Sequence, residues 1–259
     1  MKFRLIMTTC LLGLIAFTGS CTTSAPKHYS HYKTSIVKFL YPEENTAKKQ
    51  EAVKPTITVP LKAGIAFVPS AAAEGFPERE RMSLMQKIGS QFEKYSFIQS
   101  IELIPSLYLE EEGGFSNLDK LRQLFGTDVI MLLSYDQSQF KDTGALSITY
   151  WTLIGAYVVK GEKNDTHTLI DAALFHIQSR KMLFRASGIN HIKTSATPIG
   201  LSEQARKDSL NGFREASIDL VKNVEGRLYG FRKMLRTATG EFRLELKPGY
   251  KLEPLDKPN

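Results

Sequence analysis

Both cysteines of this 259-residue chain, Cys10 and Cys21, stand near its start, so whatever folds after them must do so without a disulfide. Lys2 and Arg4 precede two apolar stretches, Leu5-Ile6-Met7 and Leu11-Leu12-Gly13-Leu14-Ile15-Ala16-Phe17, and Thr18-Gly19-Ser20 places small residues before Cys21. A positive start, a short apolar run and small residues make an export leader. The run is interrupted by Thr8 and Thr9 and falls short of the ~20 residues that a bilayer span needs. Cleavage between Ser20 and Cys21 is therefore expected, leaving one cysteine at the first position of the mature chain. Its fold must then rest on a hydrophobic core, for which the length suffices. With 42% hydrophobic and 24% charged residues the proportions are globular, which excludes wholesale disorder.

The ending at Cys21 resembles a lipobox, with Thr18 where Leu is usual, and implies a diacylglyceryl group on the thiol. Several acyl chains at ~0.8 kcal/mol per buried CH₂ make a stable anchor. Thr22 follows the cysteine where Asp does not, which in similar lipoproteins implies passage to the outer membrane, with the globular part in the periplasm. The formal charge is +7, and loss of Lys2 and Arg4 leaves about +5, scattered along the chain. Such a surplus suits anionic head groups or acidic partners and gives no ground for nucleic-acid binding.

Three segments are expected: a signal peptide over 1–20, a lipid-anchored tether over 21–60, and a single globular domain over 61–259. The tether carries Pro26, Pro42, Pro55 and Pro60 and one apolar cluster, Ile36 to Pro42, read as a short docking strand or a surface-bound segment. Beyond it, Gly64 to Pro69 reads as a buried strand, and Pro77 to Tyr95 as a helix with Met85, Ile88, Phe92 and Tyr95 on one face. Phe97 to Pro105 reads as a strand. Ser116 to Phe125 reads as a helix capped by Ser116 and closed by Gly126. Asp128 to Tyr135 reads as a central strand, apolar on both faces. Leu146 to Val159, Thr166 to Ile177 and Lys181 to Gly188 read as antiparallel strands, with turns at Gly161–Asp165 and Gln178–Arg180. A helix over Ser202 to Leu235, open to a bend at Gly212, Gly226 or Gly230, and an edge strand around Phe242 to Leu246 complete the order. The fold class is α/β (α+β): one mixed sheet with a β-α-β-α-β start, antiparallel strands after it, and helices packed on it.

Signatures of chemistry are sparse. There is no G-x-S-x-G elbow for Ser134, Ser138, Ser187 or Ser195, with His167, His176 and His191 as the candidate bases. His167 and Asp171 share a strand face, but two ligands close no metal site, so no metal and no cofactor is expected. Gly113-Gly114 follows three acids and lacks the Lys of a phosphate loop. Two features point to binding. Tyr135, Asp136 and Gln137 lie where a central strand turns polar, which reads either as the border of a ligand crevice or as a strand leaving the core. Trp151, the single tryptophan, reads either as packing or as part of an exposed binding face.

Several segments together resemble the rhombotarget lipoprotein family of Gram-negative bacteria: Phe39-Leu40-Tyr41-Pro42, Gly64 to Pro69, Gly113 to Asp119, Asp128 to Gln137, Tyr150-Trp151-Thr152 and Ser179 to Ala186. The family is named for its occurrence with rhombosortase, an intramembrane peptidase acting on C-terminal Gly-Gly sorting tails, and implies no biochemical activity. Lys247 to Asn259 lacks such a tail, so the expected link is that of an accessory or a co-inherited partner. The element order is also similar to the N-terminal part of TolB and to CsgG-type modules. Together these readings predict a non-enzymatic binding or assembly module, held to the membrane by its lipid and engaging an envelope protein or copies of itself. A small-ligand or glycan binder and an envelope hydrolase are the alternatives.

Overall fold

A computed structural model describes residues 28–42, 54–69, 77–143, 162–196, 200–237 and 242–252. In chain order its elements are β1 (His28–Lys33), α1 (Ile36–Leu40), β2 (Thr56–Val59), β3 (Leu61–Phe67), α2 (Glu78–Phe92), β4 (Ile98–Ile104), α3 (Gly114–Phe125), β5 (Val129–Thr143), β6 (Glu162–His176), β7 (Lys181–Ala196), α4 (Leu201–Thr237) and β8 (Arg243–Leu246). Six strands form one mixed sheet in the order β4-β3-β5-β6-β7, with β1 also on β5. The β4, β3 and β5 ladders are parallel, reached by crossovers through α2 and α3, and β5, β6 and β7 are antiparallel.

The start of β5 explains the layers. Val129, Met131 and Leu133 enter one core with Ile88, Phe92, Phe213, Leu220 and Phe231, from α2 and α4. Ile130 and Leu132, pointing the other way, enter a second core with Phe39, Leu40, Leu118 and Leu121, from α1 and α3. β2 and β8 form a separate parallel pair whose Ile57 and Val59 are fully buried in the first core.

The long helix matches the long strands. β5, β6 and β7 have 15, 15 and 16 residues, about 50 Å at ~3.4 Å each. α4 has 37 residues, about 55 Å at ~1.5 Å each. It runs unbroken through Gly212, Gly226 and Gly230. Gly212 is where the helix meets the sheet: a Cβ there would lie 2.6 Å from Thr168 Oγ1, whereas Gly226 and Gly230 face open space.

Several expectations need correction. The stretch 21–60 is not simply a tether: His28–Lys33 pairs with β5, Ile36–Leu40 is a helix capped by the Ser35 hydroxyl, and Thr56–Val59 pairs with β8. The reason lies in β5, whose edge is paired by β3 only as far as Leu133, leaving backbone donors and acceptors from Asp136 onward that β1 satisfies. Thr34 locks the junction, its hydroxyl 2.6 Å from the Tyr135 backbone nitrogen. Asn164 and Asp165, expected in a turn, lie inside β6. Ser116 does not cap α3, which begins at Gly114. Its hydroxyl donates back to the Gly113 carbonyl, 2.7 Å away, while buried Asn117 holds the preceding loop through Glu110 and Tyr108. Gly126 ends α3 with φ 65°, as its lack of a side chain suggests. The expected strand Leu146 to Val159 lies outside the described residues. No helix among those residues is long and apolar enough to cross a membrane.

Candidate functional site

The polar end of the central strand does not leave the sheet. β5 continues to Thr143, paired on both edges, and its alternation divides the residues singled out in the sequence. Tyr135 and Gln137 face α4 and are buried, whereas Asp136 faces the opposite side. The three therefore do not form one crevice. Trp151, Ser20 and Cys21 lie outside the described residues.

Under α4, the buried polar residues form a connected network. Gln137 donates to Thr168 Oγ1 at 2.8 Å and to the Ser209 carbonyl at 3.1 Å, and accepts from the Ser209 hydroxyl. Gln139 donates to the Ala205 carbonyl at 2.8 Å. Asp208, 2% exposed, accepts from Asn164 at 2.6 Å, from Gln204 at 2.9 Å and from Thr194. Burial holds the Tyr135 phenol well above its ordinary pKa. Apart from Asn164 Oδ1, which has no partner among the described residues, the polar side chains of this network bond one another or the α4 backbone, so this face is a structural seam between helix and sheet.

On the other face α1 and α3 cover only the first part of the sheet, and beyond Leu133 no described element lies over it. Strand register builds a grid there. Tyr29, Phe140, Asp165 and Lys193 form one row across β1, β5, β6 and β7; His31, Ser138, His167 and His191 form the next; Lys33, Asp136, Leu169 and Ile189 form the third. The Tyr29 and Phe140 rings meet at a tilt of 39° with centroids 4.8 Å apart. His31 Nε2 lies 2.7 Å from Asp136 Oδ1. The His167 and His191 rings stack at 3.9 Å and 16°. Both direct Nε2 at Asp165 Oδ1, at 3.1 and 2.5 Å, and Lys193 Nζ is 3.8 Å from the same carboxylate. A depression of about 620 Å³ lies over Asp136, Ser138, His167, Leu169, Ile189 and His191.

A β-bulge creates this grouping. Around the turn, Phe175 pairs with Met182, but the register shifts before Leu174, which pairs with Phe184. Continued without the shift, the turn's register would put His167 opposite Asn190 and His191 on the helix side. Sequence spacing instead linked His167 with Asp171, whose carboxylate is taken by Arg185 Nε at 2.7 Å. Of the candidate serines, Ser138 sits beside His167 in register, and Ser134 is buried. His176 is also buried and bonds Ser179.

Fold and face together define a mixed α/β domain whose sheet is covered along its whole length on one side and for part of it on the other. No protein-family model matches the chain, and no curated protein does. Among solved structures it is similar to a homolog of neuraminyllactose-binding hemagglutinin from Helicobacter pylori, at 10% identity and TM-score 0.39, covering 77% of this chain and 97% of that one. It is similar to the PelC dodecamer from Paraburkholderia phytofirmans at 9% identity and TM-score 0.27, covering 73% and 99%. It is also similar to lipoprotein GNA1162 from Neisseria meningitidis at 18% identity and TM-score 0.26, covering 57% and 96%. Likeness this loose carries no functional argument.

Proposed function

We propose that this chain is a non-enzymatic module of the bacterial envelope, anchored through a lipid on Cys21, that docks an envelope protein on its open sheet face. The observation that carries the reading is the face itself. Tyr29, Phe140 and Ile189 stand 55%, 50% and 66% exposed on a surface fixed by three ladders, among ion pairs that supply a polar surround. Exposed aromatic and aliphatic groups interleaved with paired charges are the composition of a protein interface. The side chains give little support to hydrolysis, because His167 and His191 both turn Nε2 to Asp165 rather than to Ser138. In this reading the domain sits on the periplasmic side of the outer membrane, and the resemblance to rhombotarget lipoproteins connects it to protein sorting as an accessory.

The test is a photo-crosslinking residue placed at Ile189 in living cells, with Leu107, 91% exposed just after β4 at the opposite edge of the sheet, as comparison. A specific envelope-protein adduct from position 189 alone, lost with Cys21→Ala, supports the reading. Recovery of the chain free of adducts, or adducts only with copies of itself, counts against it.

A further inference from the structure

We infer that Asp165, His167 and His191 form a binding site for a divalent transition-metal ion. The geometry stands independently of what docks on the face. The ligand atoms, two imidazole nitrogens and one carboxylate oxygen, lie within 4.8 Å of one another. Ligands of a tetrahedral zinc at ~2.1 Å are about 3.4 Å apart, so small rotations of the two exposed histidines and the half-buried Asp165 close the site without moving the backbone. The positions are held by the sheet: His167 and His191 are direct cross-strand partners, and Asp165 is two residues before His167 on the same face.

The ring arrangement supports the same conclusion. Two imidazoles stacked at 3.9 Å with both Nε2 atoms on one carboxylate oxygen present three donors toward one point. A cation placed there replaces the hydrogen bonds and keeps all three atoms engaged. Imidazole nitrogen with carboxylate oxygen suits Zn²⁺ and its neighbours, with Cu²⁺ bound more tightly than Zn²⁺. Three protein ligands leave a position open on the solvent side, which water fills. Lys193 is the built-in competitor: its ammonium, 3.8 Å from Asp165 Oδ2, occupies the charge that the metal would take. Because a histidine ligates only when neutral, binding weakens in acid.

The probe is Zn²⁺ titrated calorimetrically into the full-length chain and into its Cys10→Ser, Cys21→Ser form, which lacks both thiols. The expected result is one ion per chain in both. His167→Ala with His191→Ala should weaken uptake at least thirtyfold. Both side chains are about half exposed and lie under no helix, so the melting temperature and far-UV spectrum should be nearly unchanged. Lys193→Ala should tighten binding severalfold, as adventitious binding to His31 or Cys21 would not. Absence of stoichiometric uptake, undiminished uptake without the two histidines, or no tightening in Lys193→Ala would overturn the site.

Discussion

A Cβ added to Gly188 would stand 2.0 Å from the carbonyl oxygen of Ala216, so β7 and α4 meet backbone to backbone at this point. Leu220 closes the same spot, its nitrogen 2.5 Å away. On either side α4 bonds the outer edge of β7: Asn223 donates to the Ser187 carbonyl at 2.8 Å and Asp219 accepts from the Ile189 nitrogen at 3.1 Å. The contact therefore also covers edge backbone that would otherwise be free to pair.

Gly188→Ala should cost about 3 kcal/mol or prevent folding, because backbone atoms cannot yield as a flexible side chain would. Gly226→Ala and Gly230→Ala should do the reverse. Nothing lies within 4 Å of either position, so each should gain up to ~1 kcal/mol from helix propensity. Urea denaturation of the three variants should separate them by sign. A stable Gly188→Ala chain would refute the close crossing.

Asp208→Ala should cost about 3 kcal/mol, since Asn164, Thr194 and Gln204 would lose their shared acceptor in a buried seam. A denaturation midpoint within error of the parent would show that water reaches the seam.

His176 should make stability fall in mild acid. Burial lowers its imidazole pKa, helped by Arg122 and opposed by Asp128. The folded state thus binds fewer protons than the unfolded chain between the folded value and about 6.5. Stability is fully present above that window and is lost as the pH falls through it. Melting temperature against pH should be flatter in His176→Gln, and parallel curves would contradict the assignment.

Phe140→Glu and Ile189→Glu should leave stability within ~0.5 kcal/mol, because neither side chain is packed under a helix. Phe140→Glu should abolish the envelope adduct formed from position 189, and Ile189→Glu should abolish the one formed when the crosslinking residue stands at Phe140 instead. Survival of the adduct in either variant would move the docking surface elsewhere.

The parts of this fold that are local were legible in the sequence. The apolar run Val129 to Leu133, the Leu118 and Leu121 stripe and the Gly126 exit each announce an element within a few residues of themselves. The turn at Gln178–Arg180 was also legible, and it joins β6 to β7. The end of β5 was misjudged because its polarity depends on remote partners. Gln137 and Gln139 are buried only because Ser209 and Ala205 stand above them, 72 and 66 residues away. The histidine pair was hidden for a different reason. One extra residue in β7, beside Leu174, decides which side of the sheet His191 occupies, and hydrophobic alternation does not reveal a bulge.

β1 also limits where the domain can stand. His28 opposes Lys141, close to Thr143 and Glu162, where the connection 144–161 departs and returns. Only seven residue steps separate Cys21 from His28, at most about 25 Å of fully extended chain. With a lipid on Cys21 this is a short leash fixed to one end of the sheet. So anchored, the domain could not swing freely at the end of a forty-residue cord, and the end of the sheet that holds Thr143 and Glu162 would be its membrane-proximal pole.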